Sequence, residues 1–303
     1  MDFRELFERH RRELHVHCYR MLASFEEADD AVQETFLRAW RHQERFEPGT
    51  NPRAWLYRIA TNVCLDAIRR HGRRPPSGQE VTWLQPYPDQ LLDQAAPSDE
   101  QPDAVVVARE TIELAYLTAI QLLPPKQRAV LLLRDVLDWS ATETAELLDL
   151  SVASANSALQ RARATLRTAR PAQPQAPDES ERRLLAQLID AHERADIGAA
   201  VALLREDIRV TMPPLSQVYC GIDAFLGLLD RAFNGGMGDW RLVPTSANRT
   251  PAAASYLRAP GEREFRAFKL DVVRMADGKV AEFTTFGPGL FEQFGLPAVL
   301  LES

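Results

Sequence analysis

Residues 51–70, NPRAWLYRIATNVCLDAIRR, mix aromatic and basic side chains along one predicted helix. Aromatic rings can stack on unpaired bases, and neighbouring arginines can hold the nucleic-acid backbone. A helix that buries its aromatic side chains and solvates its basic face would show the same composition, so both interpretations stay open. The side chains that could serve a nucleic-acid site here are Arg53, Trp55, Arg58, Asn62, Asp66, Arg69 and Arg70.

Residues 137–166, LDWSATETAELLDLSVASANSALQRARATL, predict two short helices with a tight joint, which is a helix-turn-helix arrangement. Ser140 followed by Glu143 is a capping-box pattern, and Ser151 can cap the second helix. Small polar side chains let such a helix enter a major groove about 12 Å wide, and arginines can hold phosphates. The alternative is a helical hairpin with a solvated face. The candidate DNA-reading residues are Ser154, Asn156, Ser157, Gln160, Arg161 and Arg163.

Residues 29–41, DDAVQETFLRAWR, begin with two acids and continue as an amphipathic helix that carries Phe36, Leu37 and Trp40. The pattern fits a packing helix and a docking surface equally well. A metal site is a weaker hypothesis, based on His10, His15, His17 and Cys18. Because His15 and His17 are two residues apart, they face different sides of a helix. We therefore expect no metal and no cofactor.

The bulk composition fits a protein of two or three domains, with 303 residues, a net charge of −7 and 45% hydrophobic residues. The charged N-terminus is unlike a secretory signal, and no run of about 18 apolar residues predicts a membrane span. Three widely spaced cysteines favour a reducing cytoplasm. The acidic total argues against general nucleic-acid binding, but local basic patches can still contact phosphates within a Debye length of about 8 Å.

The elements that must position these residues form two helical domains followed by an α+β domain. Helical periodicity covers residues 1–74, with a break at FEPGTNP, and returns over residues 108–170. An acidic, proline-rich linker is predicted at 75–107; its Trp83–Leu92 part is apolar enough that we expect it to pack on a neighbouring domain. A second linker is predicted at 171–177. Over residues 178–303 strand-like runs appear, and Asp277-Gly278 between two of them predicts a hairpin.

Three ordered segments resemble regions 2 and 4 of a sigma-70 family factor of the extracytoplasmic-function (ECF) type. They are DDAVQETFLRAWR, NPRAWLYRIATNVCLDAIRR and the stretch from LPPKQRAVLLLRDVLDW to QRARATL. The words WLQPYPDQLLD and FEQFGLPAVL further resemble the SigG-type actinobacterial subgroup. The resemblance implies two all-α domains, the second with a helix-turn-helix, which bind core RNA polymerase and promoter DNA.

The resemblance also assigns roles to residues. It implies that Asp30, Gln33, Glu34, Leu37 and Arg38 bind the polymerase, whereas Phe36 and Trp40 could be core residues. Arg45, Phe46 and Asn51, with the seven side chains of the aromatic–basic helix, would bind the −10 element. The second helix of the helix-turn-helix would read the −35 element. That helix has no basic residue before Arg161, so we expect DNA shape and backbone contacts to matter there.

The last 126 residues, from 178, resemble a SnoaL-like domain, a curved sheet and helices forming a cone. Relatives of this fold include cyclases and isomerases, which need an acid–base group inside the cone. Candidates for that group are His192, Asp196, Asp207, Asp271 and Glu282, although each could serve a structural role. Candidates for a pocket lining, or for core packing, are Met212, Tyr219, Trp240, Tyr256, Phe268 and Phe286.

The leading hypothesis is a non-enzymatic sigma factor whose C-terminal domain modulates its activity. An anti-sigma factor, or a small ligand at the C-terminal domain, is a further partner that the sequence leaves open. One alternative is a ligand-responsive DNA-binding regulator, which would have no need of residues 29–74. Another is a cyclase or isomerase activity in the C-terminal domain.

Overall fold

The computed structural model describes residues 3–46, 51–72, 84–94, 114–169 and 179–300. The chain divides into a helical unit, residues 1–87 and 91–173, and a C-terminal unit, residues 88–90 and 174–303. Trp83, most of the predicted linker at 75–107 and all of that at 171–177 lie outside the described residues. Within the described ranges, no helix is long and apolar enough to cross a membrane.

Local capping chemistry accounts for several helix ends. Ser24 caps the second helix, and Asn51 caps the third, which has Pro52 in its first turn. The third helix ends at Gly72, whose φ of 60° is a left-handed conformation that glycine adopts without strain. The helices up to residue 169 are α1 (Phe3–Leu22), α2 (Phe25–Arg41), α3 (Pro52–His71), α4 (Asp89–Gln94), α5 (Leu114–Gln121), α6 (Pro125–Leu131), α7 (Ala141–Leu148) and α8 (Val152–Ala169).

The core of the helical unit contains hydrogen-bonded polar side chains as well as apolar ones. Arg128 on α6 is almost fully buried and donates to the backbone oxygens of Met21, Gln121 and Leu123 and to the Gln121 side chain. A buried guanidinium is stable only when such acceptors replace water. Because Met21 lies on α1, this residue joins the helices of the two predicted helical domains.

Residues 84–87, within the predicted linker, pack into the helical unit. The Ala23 carbonyl accepts from the Gln85 backbone N–H (2.9 Å), and the Gln85 side chain accepts from the Ser24 hydroxyl (2.9 Å). The Tyr87 ring lies among aromatic rings, and its hydroxyl is 2.9 Å from the Nδ1 atom of His15. This short segment is therefore part of the first helical core.

The C-terminal unit consists of a seven-stranded sheet with helices on one face. The strand order is β2-β1-β6-β5-β4-β3, with β7 on β5; the β1–β6 pair is parallel and the others are antiparallel. The elements are α9 (Glu179–Glu193), α10 (Ile197–Ala202), β1 (Leu204–Met212), β2 (Leu215–Cys220), α11 (Ile222–Phe233), β3 (Asp239–Ala247), β4 (Thr250–Arg258), β5 (Phe265–Ala276), β6 (Lys279–Phe286) and β7 (Val299–Leu300).

Alternation along the strands separates two apolar layers. Trp240, Ala253 and Val273 pack toward α9 and α11 in one core. Tyr256 packs differently: its ring contacts Phe291 and its hydroxyl donates to the Pro297 carbonyl. The strand-like runs of the sequence are confirmed, including the hairpin at Asp277-Gly278. The strands β2 and β7 are additions that the pattern did not predict.

Candidate functional site

The helix α2 presents a narrow exposed stripe that runs from acidic to aromatic residues. Asp30 and Gln33 lie exposed at one end, and Leu37 and Trp40 follow with 48% and 59% of their surface exposed. Phe36 is buried against Phe7, with ring centroids 4.2 Å apart. One helix thus combines both interpretations: Phe36 packs in the core, whereas Leu37 and Trp40 are exposed and available for docking. Large exposed apolar side chains next to each other are typical of an interaction surface.

The stripe is bordered by ion pairs that connect α2 with α3. Arg38 donates to Glu34 (2.6 Å) and to Asp66 (3.2 Å), and Arg69 also donates to Asp66 (3.2 Å). The bond to Glu34, aided by Asp66, raises the pKa of Arg38. These groups are partly solvated, so each pair contributes only about 0–1 kcal/mol to stability. Their main effect is to fix the position of Arg38 and Asp66 relative to each other.

The helix α3 places most of its candidate side chains on one face. Trp55, Arg58, Asn62, Asp66 and Arg69 follow one another at helical spacing, and they are exposed or half-buried. At the start of this row, the Trp55 ring lies 5.2 Å from the ring of Phe46. The arrangement offers an aromatic pair followed by polar and basic groups, as expected of a surface that holds unpaired bases.

Other predicted residues near this row have structural partners. The Asn51 side chain accepts from the backbone N–H groups of Arg53 and Ala54, which caps the helix. Arg53 donates to Glu13 (2.8 Å) and lies over the Tyr57 ring. Arg70 is exposed near the end of α3. The Arg45 side chain and residues 47–50 of the predicted loop lie outside the described residues.

The helix-turn-helix forms as the sequence predicted. Ser140 and Glu143 form a reciprocal capping box, whose hydrogen bonds lower the pKa of Glu143. The second helix is capped by Ser151, whose hydroxyl oxygen accepts from the Ser154 backbone N–H. On α8, apolar positions such as Ala155 face inward, and the exposed positions are Ser154, Asn156, Ser157, Gln160, Arg161 and Arg163.

The two arginines of α8 differ in their surroundings. Arg163 makes a two-pronged ion pair with Asp135, with N–O distances of 2.9 and 2.6 Å, which raises the pKa of Arg163. Arg161 is exposed and makes no ion pair within the described residues. A phosphate would therefore compete with Asp135 for Arg163 but not for Arg161.

Most of the acid–base candidates in the C-terminal unit have structural partners. Asp196 caps α10 through the Ala199 N–H (2.9 Å). The exposed Asp207 pairs with Arg205, which lowers the pKa of Asp207, and Glu282 accepts from Arg209 and Arg274. Such partners are those expected of a helix cap and of ion pairs at the surface.

His192 and Asp271 lie in a different environment, where α9 covers the sheet. Burial, followed by the positive charge of Lys269, lowers the pKa of His192 to about 3, so the ring is neutral at physiological pH. Asp271 is buried, accepts from Thr285 (2.6 Å) and pairs with Lys269 (2.7 Å). These two residues are the candidates that the fold brings close to each other.

The predicted pocket residues are divided between the two layers of the C-terminal unit. Trp240, Met212 and Tyr219 pack in or against the core beneath the helices. Phe268 is exposed, and its ring lies 5.2 Å from that of Trp240. Tyr256 is held by Phe291 and Pro297, and Phe286 is buried opposite Leu270. Across all described residues, no group of three or more His, Cys, Asp or Glu side chains could hold a metal ion.

Comparison with known proteins agrees with this geometry. The family description "Sigma-70 region 2" matches residues 6–74, and "Sigma-70, region 4" matches residues 113–166. The ECF RNA polymerase sigma factor SigG of Mycobacterium tuberculosis is 43% identical over 98% of this chain and 84% of that protein. The chain belongs to the ECF sigma factors. The family predicted from the three sequence segments is therefore confirmed.

A second relative resembles this sigma factor in both sequence and structure over nearly the whole chain. The ECF sigma factor SigJ of M. tuberculosis is 30% identical over 90% of this chain and 88% of that protein. The crystal structure of SigJ has a TM-score of 0.64 at 25% identity, covering 96% of this chain and 98% of that one. The C-terminal domain of this sigma factor is SnoaL-like, and the predicted fold class is confirmed. The chain directs promoter-specific transcription initiation and is not an enzyme.

Sequence reasoning missed two groups in this sigma factor. Ser255 and Lys269 lie opposite each other on β4 and β5, close to the His192 and Asp271 candidates. No local signal singles out a serine within a strand. Gln85 was not singled out, whereas Tyr87 belongs to the part of the linker that was expected to pack on a neighbouring domain; both complete the first helical core.

Proposed function

We propose that this sigma factor binds core RNA polymerase through the exposed stripe of α2. The observation that carries this proposal is the exposure of Leu37 and Trp40 beside Asp30 and Gln33. Exposing apolar side chains to water is unfavourable, so a complex in which a partner covers them is stabilised. Glu34 and Arg38 would form the polar rim, because they are already fixed by their mutual ion pair.

A double substitution tests the stripe: Leu37→Ser with Trp40→Ser. We expect the affinity for core polymerase to fall about ten- to a hundred-fold, as is typical when two interface anchors are removed. The matched control is Leu215→Ser on β2, a residue with 56% exposure that lies outside the stripe. A fluorescence titration of labelled sigma factor with core polymerase measures both. Equal affinity of the double variant and the control would contradict the proposal.

We further propose that the α3 row, with Phe46 and Trp55 at its start, holds the separated strand of the −10 element, and that α8 contacts the −35 element. The support is the row of exposed aromatic, polar and basic groups on α3 and the exposed polar face of α8. Arg161 would contact a phosphate directly. Arg163 would do so only by leaving Asp135, so its net contribution is smaller.

The two arginines give a matched pair of variants for the DNA contact. Arg161→Ala should lower the slope of log affinity against log salt by about one, as expected for one lost phosphate contact. Arg163→Ala should change the slope by less, because Asp135 already neutralises this side chain. Promoter-fragment binding by the polymerase holoenzyme, measured between low and moderate salt, checks both slopes. A larger change for Arg163→Ala would overturn this ranking.

The SnoaL-like domain modulates transcription in our proposal, and the factor acts in the cytoplasm, where the polymerase is. The support is a C-terminal unit with a seven-stranded sheet and a core of its own, which follows the two regions that match the sigma-70 models. Promoter-dependent transcription by a chain that ends at residue 177 should differ from that by the full chain. Equal activity at equal polymerase affinity would contradict a modulating role.

A further inference from the structure

Among the buried polar atoms of the C-terminal unit that lack a hydrogen-bond partner within the described residues are the hydroxyl oxygen of Ser255, which is fully buried, and the Nε2 atom of His192. An unsatisfied buried polar group costs about 1–3 kcal/mol, so each such group calls for an explanation, of which a bound ligand is one.

Strand register shows that these groups share one face of the sheet. Ser255 on β4 lies directly opposite Lys269 on β5 and Leu242 on β3. Leu242 belongs to the core beneath the helices, so the Ser255 side chain also points there. Asp271, two residues beyond Lys269, points to the same side and lies opposite Thr285 on β6. The polar groups therefore form one cluster across neighbouring strands.

Aromatic rings surround the cluster. The His192 ring lies 4.9 Å from the Phe233 ring and 5.1 Å from the Trp240 ring. The Trp240 Nε1 atom already donates to the Ala232 carbonyl, so this ring contributes an apolar surface. Next to Trp240, Phe268 is 38% exposed at a bulge in β5, where the register against β4 shifts. The cluster thus has polar groups at depth and an aromatic side chain at a solvent-exposed edge, and small-molecule sites likewise combine aromatic surface with a few convergent polar groups.

The charges of the cluster restrict the ligand. Lys269 is balanced by Asp271, and Glu193, next to His192 on α9, is held by the Leu242 N–H and faces Arg241. A Lys ammonium has three N–H donors, and the bond to Asp271 uses one of them. Lys269 and Ser255 can therefore donate to an oxygen atom. An anionic ligand would be repelled by the buried carboxylate of Asp271, whereas a neutral oxygen would not.

We propose that this face of the SnoaL-like domain binds a neutral, planar aromatic molecule that carries a hydroxyl or keto oxygen. The oxygen accepts from Lys269 and bonds with Ser255 and His192, and the ring packs against Trp240 and Phe268. The site binds the molecule without transforming it. The bound molecule is the chemical signal to which the modulating domain responds. The inference rests on the proposed modulating role of the domain. It can be tested separately from promoter binding, because ligand binding by the free chain is measured without polymerase or DNA.

Equilibrium dialysis of the full chain against 2-naphthol tests the site, with 2-naphthoate as a charged analogue and naphthalene as an analogue without oxygen. We expect 2-naphthol to bind more tightly than either analogue, by about three- to ten-fold for each hydrogen bond gained. Tighter binding of 2-naphthoate would overturn the proposal in favour of an anion site. Equal binding of all three compounds, or no binding, would also overturn it.

Three variants locate the bound molecule. Ser255→Ala and Lys269→Met should each weaken 2-naphthol binding about three- to ten-fold by removing one hydrogen-bond donor. Phe268→Ser should weaken binding of 2-naphthol and naphthalene alike, because it removes only ring contact. The control Leu215→Ser removes a similarly exposed apolar side chain on β2 and should leave binding unchanged. Equal affinities for the control and the three variants would place the compound elsewhere and refute the site.

Discussion

His17 in the helical unit and His192 in the C-terminal unit are two buried histidines with the same protonation behaviour and different hydrogen bonding. Burial lowers the pKa of each to about 3, so both rings are neutral at physiological pH. The Nε2 atom of His17 lies 2.9 Å from the Thr61 hydroxyl, which itself donates to the Tyr57 carbonyl. The Nε2 atom of His192 has no such partner in the described part of the chain.

The difference shows that a shifted pKa alone does not distinguish a structural group from a binding group. Desolvation is the main cause of the shift at both sites. The hydrogen-bond partner distinguishes the two histidines, because Thr61 satisfies the Nε2 atom of His17, whereas the Nε2 atom of His192 is left available to the ligand that we propose. Arg128 is a further hydrogen-bonded group, whose two terminal nitrogens donate to four acceptors.

The largest effect on stability is expected for Arg128→Leu. The variant leaves the Met21, Gln121 and Leu123 carbonyls buried without their donor, so we expect the free energy of unfolding to fall by about 3 kcal/mol or more. Urea unfolding followed by circular dichroism measures the loss. The control Arg161→Leu changes an exposed arginine on α8 and should remain within about 0.5 kcal/mol of the wild type. A loss as small as the control's would mean that water replaces Arg128 in the core.

Acid should destabilise both units through their neutral histidines. The folded pKa of about 3 lies below the unfolded value of 6.5 for both residues, so the unfolded state binds more protons as the pH falls below 6.5. Stability contributed by each histidine is therefore present at pH 7 and is lost toward pH 3. Between pH 7 and pH 5 the loss is about 2 kcal/mol for each histidine.

Substitution of each histidine separates the two contributions to acid sensitivity. His17→Gln should make the helical unit less sensitive to acid, and His192→Gln should do the same for the C-terminal unit. Hydrogen exchange measured at both pH values, with protection followed separately on α1 and on β4, reports each unit. If either variant kept the full acid sensitivity of its unit, the corresponding histidine would already be charged in the native state.

The smallest effects come from two hydroxyl deletions that compare the sites directly. Thr61→Val leaves the buried His17 ring without its partner, so we expect a loss of about 1.5 kcal/mol. Ser255→Ala removes a hydroxyl that has no hydrogen-bond partner within the described residues, so the free energy of unfolding should stay the same or rise. Thermal unfolding of both variants without added ligand provides the measurement. A similar loss of unfolding free energy for Ser255→Ala would contradict the difference between the two sites.

Features set by neighbouring residues could be predicted from the sequence. The capping box of Ser140 and Glu143 and the hairpin turn at Asp277-Gly278 depend on chemistry within a few residues, and both are confirmed. The strand β2 was missed because its residues are nearly all exposed, which leaves no alternation of apolar and polar positions.

Features that depend on distant partners could not be predicted in the same way. Phe36 and Trp40 lie on one amphipathic helix, and only the contact with Phe7 shows which of them is buried. Asp135 neutralises Arg163 from 28 positions away along the chain. The neighbours of Ser255 lie on other strands, and strand register is a property of the whole sheet.

The short segment that contains Gln85 and Tyr87 determines where the first domain can be cut or transplanted. A fragment ending at residue 74 would lose the Gln85 hydrogen bonds to Ala23 and Ser24 and would uncover the rings that Tyr87 now covers. A chimera that exchanges this domain between sigma factors therefore has to carry the chain through Tyr87. Swaps made at the end of α3 would join two halves of different cores.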